Sequence, residues 1–365
     1  MTTAAAGWPS AMRKRSVMAP DSSDPAAGMA EYYRRLERAR LAPLWESLAA
    51  LSPHEPSPAA APFAWRYAEV REHLMEAGRL ITAEQAERRV VVLANPGLPG
   101  RLQVTDTLYA GLQLILPGEI APAHRHSQSA LRFVLEGEGA YTAVDGERTT
   151  MHRGDFIITP AWTWHDHGGG SGPVVWMDGL DVPLVGFLHA EFRQEHPAKA
   201  QTQARPEGDA LARWGSGLLP VDAAAPGITS PVFSYPYERA RAALAQLARS
   251  CEVDPHHGVR QRYANPVDGG WAMPTIGATL SLLAKGFDGL PYKSTDGVVA
   301  TVVEGRVRVE AGGETFDLGP SDTVALPGWR PWRMQATEEA VVFAFSDRPV
   351  HEKLGLWREW RGAAA

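Results

Sequence analysis

Two short stretches put histidines where a buried strand would otherwise be read. In PAHRHSQSALRF, residues 122–133, His124 and His126 are one residue apart. Side chains two positions apart on a strand share a face, so both imidazoles project the same way. His165 follows the Pro160-x-Trp162 turn one hairpin later, and a closed sheet can return it beside the pair. Three neutral imidazoles suit a divalent transition metal. Arg132 shares strand parity with Ala130 and Val134. If those positions face inward, so does the guanidinium, and a buried planar fork calls for a carboxylate. Tyr109, Gly111 and Gln113 share one face by the same period. Gly111 would leave room for a ring and Gln113 would offer an amide, although plain strand filler reads as well. His167 exceeds one triad: it is either an acid or base beside the site or a solvent-facing loop histidine. Asp166 and Asp178 are candidates to orient imidazoles from behind.

The elements that must position these groups are mostly strands. Met29 to Leu51 and Trp65 to about Ala86 have helical composition, broken between them by the prolines of SPHEPSPAAAPF. From Arg89 the texture changes to short β-rich runs separated by Gly, Pro and Asp-Gly turns, including a hairpin at Val144 to Glu147. A helical connector with PYERARAALAQLARS follows, and the β texture returns from Tyr263 to Ser346. The β segments repeat one another: Gly137 aligns with Gly305, Asp155 with Asp322, Pro160 with Pro327 and Trp162 with Trp329. In that register His124, His126 and His165 become Tyr292, Ser294 and Trp332. The second copy therefore lacks the imidazole set, and a structural role is expected for it. The expected organisation is a flexible tail over 1–28, a helical region over 29–87, a metal-binding barrel over 88–192, a helical connector over 193–261, a degenerate barrel over 262–350 and a tail over 351–365.

GEIAPAHRH (118–126) and GDFIITPAWTWH (154–165) match the two short motifs of the cupin superfamily. The Glu ligand common in cupins, four residues after the pair, is here Ala130. This departure, with HRHSQSALRFVLEG, SYPYERAR, GGWAMPTIG and SDRPVHEKLGLWRE, resembles the gentisate 1,2-dioxygenase family from about Tyr33 to Trp360. The resemblance implies an all-β-dominated bicupin, two jelly-roll barrels with N-terminal and connector helices. It implies Fe(II) on His124, His126 and His165, leaving positions for a chelating substrate and O2. It also implies cleavage of an aromatic hydroxy acid between the carboxyl-bearing and adjacent hydroxyl-bearing carbons, gentisate giving maleylpyruvate. Family position adds Arg88 as a second substrate contact. Tyr109 stands where salicylate-cleaving relatives resemble a tryptophan type, which favours gentisate. A 5-substituted salicylate such as 5-nitrosalicylate, or 1-hydroxy-2-naphthoate, stays open as substrate. A homotetramer is implied as well.

The whole chain agrees with an enzyme of this size. Its 365 residues, 44% of them hydrophobic, suffice for two compact units. A net charge of -6 gives no nucleic-acid footprint. No apolar run reaches the roughly 18–20 residues that span a bilayer. The single cysteine, Cys251, fits a reducing, cytoplasmic setting. A non-catalytic bicupin for storage or sensing is the alternative of a different class; a cupin isomerase is disfavoured by the missing Glu ligand.

Overall fold

The computed structural model describes residues 25–223 and 227–363. The expected flexible tail lies outside the described residues as far as residue 24, and residues 25–28 begin a helix. The described residues up to His54 form one unit and those from Glu55 another. In the first, α1 (Pro25–Arg38) and α2 (Leu44–Leu51) replace the single stretch expected over 29–51. Pro43 separates them, since it has no N–H to continue a helix. Within this unit Tyr33 donates to Glu46 at 2.5 Å and accepts from Trp45 Nε1 at 3.2 Å.

The second unit opens with β1 (Phe63–Trp65), α3 (Tyr67–Leu80) and α4 (Ala83–Ala86). The first barrel follows as β2 (Val90–Val92), β3 (Tyr109–Ile115), β4 (Ile120–His126), β5 (Ala130–Glu136), β6 (Tyr141–Val144), β7 (Glu147–Thr150), β8 (Phe156–Thr159), β9 (His165–Gly168) and β10 (Val174–Leu180). Next come α5 (Val182–Phe187), β11 (Arg193–Glu195), α6 (Asp209–Trp214), β12 (Ser234–Tyr235) and α7 (Tyr237–Leu247). The second barrel contains β13 (Val259–Arg262), β14 (Gly277–Leu283), β15 (Phe287–Asp288), β16 (Tyr292–Ser294), β17 (Val298–Glu304), β18 (Val307–Ala311), β19 (Glu314–Leu318), β20 (Thr323–Leu326), β21 (Trp332–Ala336) and β22 (Ala340–Ser346). The chain finishes with α8 (Arg348–Lys353) and β23 (Glu359–Arg361).

Each barrel is two facing antiparallel sheets. The first has β12-β8-β5-β10-β3-β2 and β11-β4-β9-β6-β7; the second has β1-β20-β17-β22-β14-β13 and β19-β18-β21-β16-β23. The fold is thus a bicupin, and the repeat is geometric. The β6–β7 hairpin turns on Asp145 and Gly146, both at positive φ, as the hairpin preference for mirror-image turns requires. Trp162 and Trp329 adopt φ of 62° and 58° at the two Pro-x-Trp turns.

The repeat also extends beyond the barrels, into segments read as helical regions and a tail. β1 joins β20 of the second barrel, while β12 joins β8 of the first. The helices that follow lock this exchange reciprocally. The Tyr67 amide donates to Asp322 of the second barrel at 2.8 Å, and its hydroxyl to Glu136 of the first at 2.7 Å. The Tyr237 amide donates to Asp155 of the first at 2.8 Å, and its hydroxyl to Glu304 of the second at 2.5 Å. Residues 193–261 are therefore not a purely helical connector, since β11, β12 and β13 complete barrel sheets. Nor do residues 351–365 trail away, since β23 pairs with β16. These strands have two to four residues, too few for periodicity to reveal.

The sheets containing β5 and β17 pack back to back. Phe133 and Phe343 stack at 4.0 Å with 8° between their planes, and Phe156 and Tyr263 join them. Leu131 and Phe133 thus fill the inter-barrel core, which leaves Ala130, Arg132 and Val134 to face the first barrel's interior by strand alternation.

Candidate metal centre

β4 and β9 bring the histidines together. Their register runs Ile120 with Gly168 and Ala121 with His167, then slips so that His124 lies opposite His165. One extra residue at Pro122–Ala123 makes a β-bulge, a device that re-aims side chains and tolerates proline. Without it Ala123 would face His165. The three rings are 5.3, 4.3 and 4.8 Å apart for the pairs 124–126, 124–165 and 126–165. Their nitrogens lie within 4.8 Å of one another, a group that can hold a metal ion.

Each imidazole is tied at the back by main chain. Nδ1 of His124, His126 and His165 lies 3.1, 2.9 and 3.0 Å from the carbonyls of Pro122, Gln128 and Thr163. A carbonyl only accepts, so Nδ1 carries the proton and Nε2 is left bare as a ligand atom. Nε2 of His165 is buried with no partner in the protein, which fits a metal-ligand atom. Burial lowers the pKa of all three: His124 to about 3, with Arg88 adding to the effect, His126 to about 4, and His165 well below its ordinary value. All are neutral at neutral pH, as ligands must be. The donor set fits a borderline divalent ion.

Arg88 Nη2 donates to the Pro122 carbonyl at 2.9 Å and lies 2.6 Å from His124 Nδ1. That nitrogen cannot both accept from Arg88 and donate to Pro122; only the second tautomer leaves Nε2 bare. Arg88 is thus poised at the rim of the triad.

Arg132 is buried, 4% exposed, and points inward. Its Nη1 donates to Thr159 Oγ1, and its Nε stands 3.6 Å from Asp178, an ion pair too long for a hydrogen bond. Asp178 accepts from Trp176 Nε1 at 2.9 Å. Burial pushes the Asp178 carboxyl up to about 6 against the pull of Arg132. Gly111, Asp178 and Arg132 form one row across β3, β10 and β5. A Cβ on Gly111 would sit 2.6 Å from Val90 Cγ1 and 2.8 Å from Tyr109 Oη, so glycine lets the tyrosine lean across. Burial raises the Tyr109 pKa, keeping the phenol protonated. Gln113 is buried, opposite Trp176 in the same register.

His167 is fully buried, which removes the loop-histidine alternative. Its Nδ1 lies 2.9 Å from Thr142 Oγ1, and its Nε2 has no partner. The expected roles of the two aspartates change. Asp166 alternates with His165 and His167 and faces the other way, accepting from Gln201 N and Nε2 at 3.0 and 2.9 Å. Asp178 touches Arg132 and Trp176, not an imidazole. The imidazole partners are backbone carbonyls, invisible to residue types. Sequence reasoning misses Thr142, Thr159 and Trp176: parity with Asp178 on β10 could find Trp176, whereas the two threonines reach His167 and Arg132 across strand pairings that only the fold supplies.

Comparison with known proteins places the chain among cupin dioxygenases. A cupin domain family model matches residues 111–182. The chain is 51% identical to a gentisate 1,2 dioxygenase 1 of Aquipseudomonas alcaligenes, over 91% of this chain and 96% of that one. It is 34% identical to a 5-aminosalicylate 1,2-dioxygenase of Comamonas sp, over 95% and 93%. The crystal structure of a salicylate 1,2-dioxygenase from Pseudoaminobacter salicylatoxidans, with gentisate, superposes with a TM-score of 0.88 at 33% identity, over 95% and 97%. No helix among the described residues is long and apolar enough to cross a membrane.

Proposed function

This chain belongs to the gentisate 1,2-dioxygenase family of ring-cleaving dioxygenases, and from that premise we propose that it opens gentisate with O2 to give maleylpyruvate, using Fe(II) held by His124, His126 and His165. The observation that carries the reading is the inward Arg132 beside three imidazoles whose Nδ1 atoms are all committed to carbonyls. When bound, Fe(II) supplies the activation of O2 and the lowered phenol pKa of a chelating ortho-hydroxy acid. The protein supplies placement and charge.

Arg132 holds the substrate carboxylate. Thr159 fixes the guanidinium, and Asp178 offsets its charge from behind. Arg88 supplies a second cation at the rim. Gly111 makes room for the ring, and Tyr109 Oη, leaning over Gly111, offers a partner to the second ring hydroxyl that gentisate has and salicylate lacks. Gln113 lines the same face as an amide donor. His167, anchored through Nδ1 by Thr142, offers its unpartnered Nε2 as a hydrogen-bond acceptor for the ring hydroxyl. A 5-substituted salicylate or 1-hydroxy-2-naphthoate is the second reading; relatives named for 5-aminosalicylate and 1-hydroxy-2-naphthoate, each 34% identical, support it. We assign the chain to the cytoplasm as a homotetramer, which size-exclusion chromatography with light scattering tests.

The deciding experiment loads the purified protein anaerobically with Fe(II) and follows O2 uptake with gentisate, salicylate, 5-nitrosalicylate and 1-hydroxy-2-naphthoate. The expected rank puts gentisate first. A higher kcat/KM for any other acid overturns the substrate, and no uptake with any overturns the reaction.

A further inference from the structure

The second barrel keeps the frame of the first and changes what faces inward. Tyr292 lies opposite Trp332 where His124 lies opposite His165. Trp329 donates its amide to the Ser294 carbonyl as Trp162 does to that of His126. The outward residue between is again a cation over that tryptophan, Lys293 at 4.5 Å and Arg125 at 4.6 Å. The inward Arg132–Asp178 row becomes Ala300–Ala344. Replacing a salt bridge with two alanines leaves space, and a cavity of about 270 Å³ occupies the barrel. That is just below the ~300–1,000 Å³ of ordinary ligand pockets. Close packing would fill a disused interior with larger side chains.

The cavity is also chemically equipped. Arg260, on β13 opposite Ser281, stands where the first barrel has Val90 opposite Gln113. Its side chain, exposed to solvent, lines the cavity and makes no hydrogen bond or ion pair with any described residue. Deeper in the wall, two groups are nine-tenths or more buried and unsatisfied: Asp296, 5% exposed, through Oδ1, and His257, 5% exposed, through Nε2. Such orphans call for a partner. Tyr292 and Trp332 supply aromatic faces.

We propose that the second barrel is a metal-independent binding site for a small aromatic hydroxy acid, its carboxylate on Arg260 and its hydroxyl donating to Asp296. The free guanidinium fork matches a carboxylate, and the unpaired carboxylate oxygen matches a hydroxyl donor. This assignment stands apart from the reaction of the first barrel.

Equilibrium dialysis of the Fe(II)-loaded full chain with salicylate, without O2, tests it. Arg260→Ala lowers the number of molecules bound by one per chain, while Arg132→Ala leaves that molecule in place. Benzoate, lacking the hydroxyl, binds the Arg260 site about tenfold more weakly. Because Arg260 has no partner to lose, Arg260→Ala melts no lower than the wild type and keeps its ring-cleavage kcat. Arg260→Gln, close in length, loses the same molecule. Salicylate binding unchanged by both Arg260 substitutions overturns the proposal, whatever the first barrel binds.

Discussion

Arg132→Ala separates holding the substrate from holding the metal. The arginine makes two contacts in the protein, to Thr159 and to Asp178, and neither is an imidazole. Removing one partner of a buried ion pair ordinarily costs about 3–5 kcal/mol. Here the cost is capped, because burial already sets the Asp178 carboxyl at about 6. Freed from the pull of Arg132 it rises further and takes a proton, which at pH 7 costs less than about 1.4 kcal/mol, the value for one unit. The variant therefore folds, and melts a few degrees lower. The loss in substrate binding is larger. A bidentate carboxylate contact is two charge-assisted hydrogen bonds of about 1.5 kcal/mol or more each, together a factor of roughly 100. That contact exists in ground and transition states alike, so it enters KM with kcat nearly kept. Arg132→Lys, a point charge without the fork, recovers part of the loss, to about tenfold above wild type. The assay is O2 uptake against substrate concentration, with metal content measured on the same samples. A KM within threefold of wild type, or loss of metal with Arg132→Ala, refutes the assignment.

His124→Ala removes one Nε2 from the triad; metal affinity falls by more than about 100-fold, the upper end for outer-shell changes, and metal analysis and turnover drop together. Gly111→Ala must displace Tyr109 or Val90; KM rises while metal content holds, and an unchanged KM denies the row its part in substrate placement. Asp181, buried and accepting from Thr275 at 2.6 Å and Ser129 N at 2.9 Å, has its carboxyl raised by burial to about 6. The folded pKa exceeds the unfolded one, so this group's stabilising contribution is full below about pH 4 and lost as pH rises through 6. Asp181→Asn should gain on wild type by up to roughly 3 kcal/mol between pH 4 and 7, and parallel pH curves of Tm would contradict it.

Much of the site was legible through strand parity. The rule that paired His124 with His126 also turned Arg132 inward and put Gly111 with Gln113. Applied to β9, it excludes Asp166, which sits between two inward histidines. The repeat was legible because its turns demand fixed residues: Asp145-Gly146 at a tight hairpin, tryptophans at positive φ after Pro160 and Pro327. The bulge at Pro122–Ala123 was not, since it depends on pairing with β9. The carbonyls behind the imidazoles were hidden because every residue has one. β1, β12 and β23 escaped because two or three residues carry no period, and their partners are remote.

The exchange of β1 and β12 bears on how the chain is made. The strand at Phe63–Trp65 emerges some 260 residues before its partner at Thr323–Ala325. The first barrel, although synthesised first, keeps the outer edge of β8 open until Ser234–Tyr235 has been translated. Nascent barrels thus carry exposed edges of the kind that pair with strangers. A break anywhere between the barrels would leave the second without β1, and one before Ser234 would leave the first without β12 as well. The first barrel, which also buries Phe133 against Phe343, is therefore not a portable module: the second must be inherited with it, even where selection acts only on the chemistry.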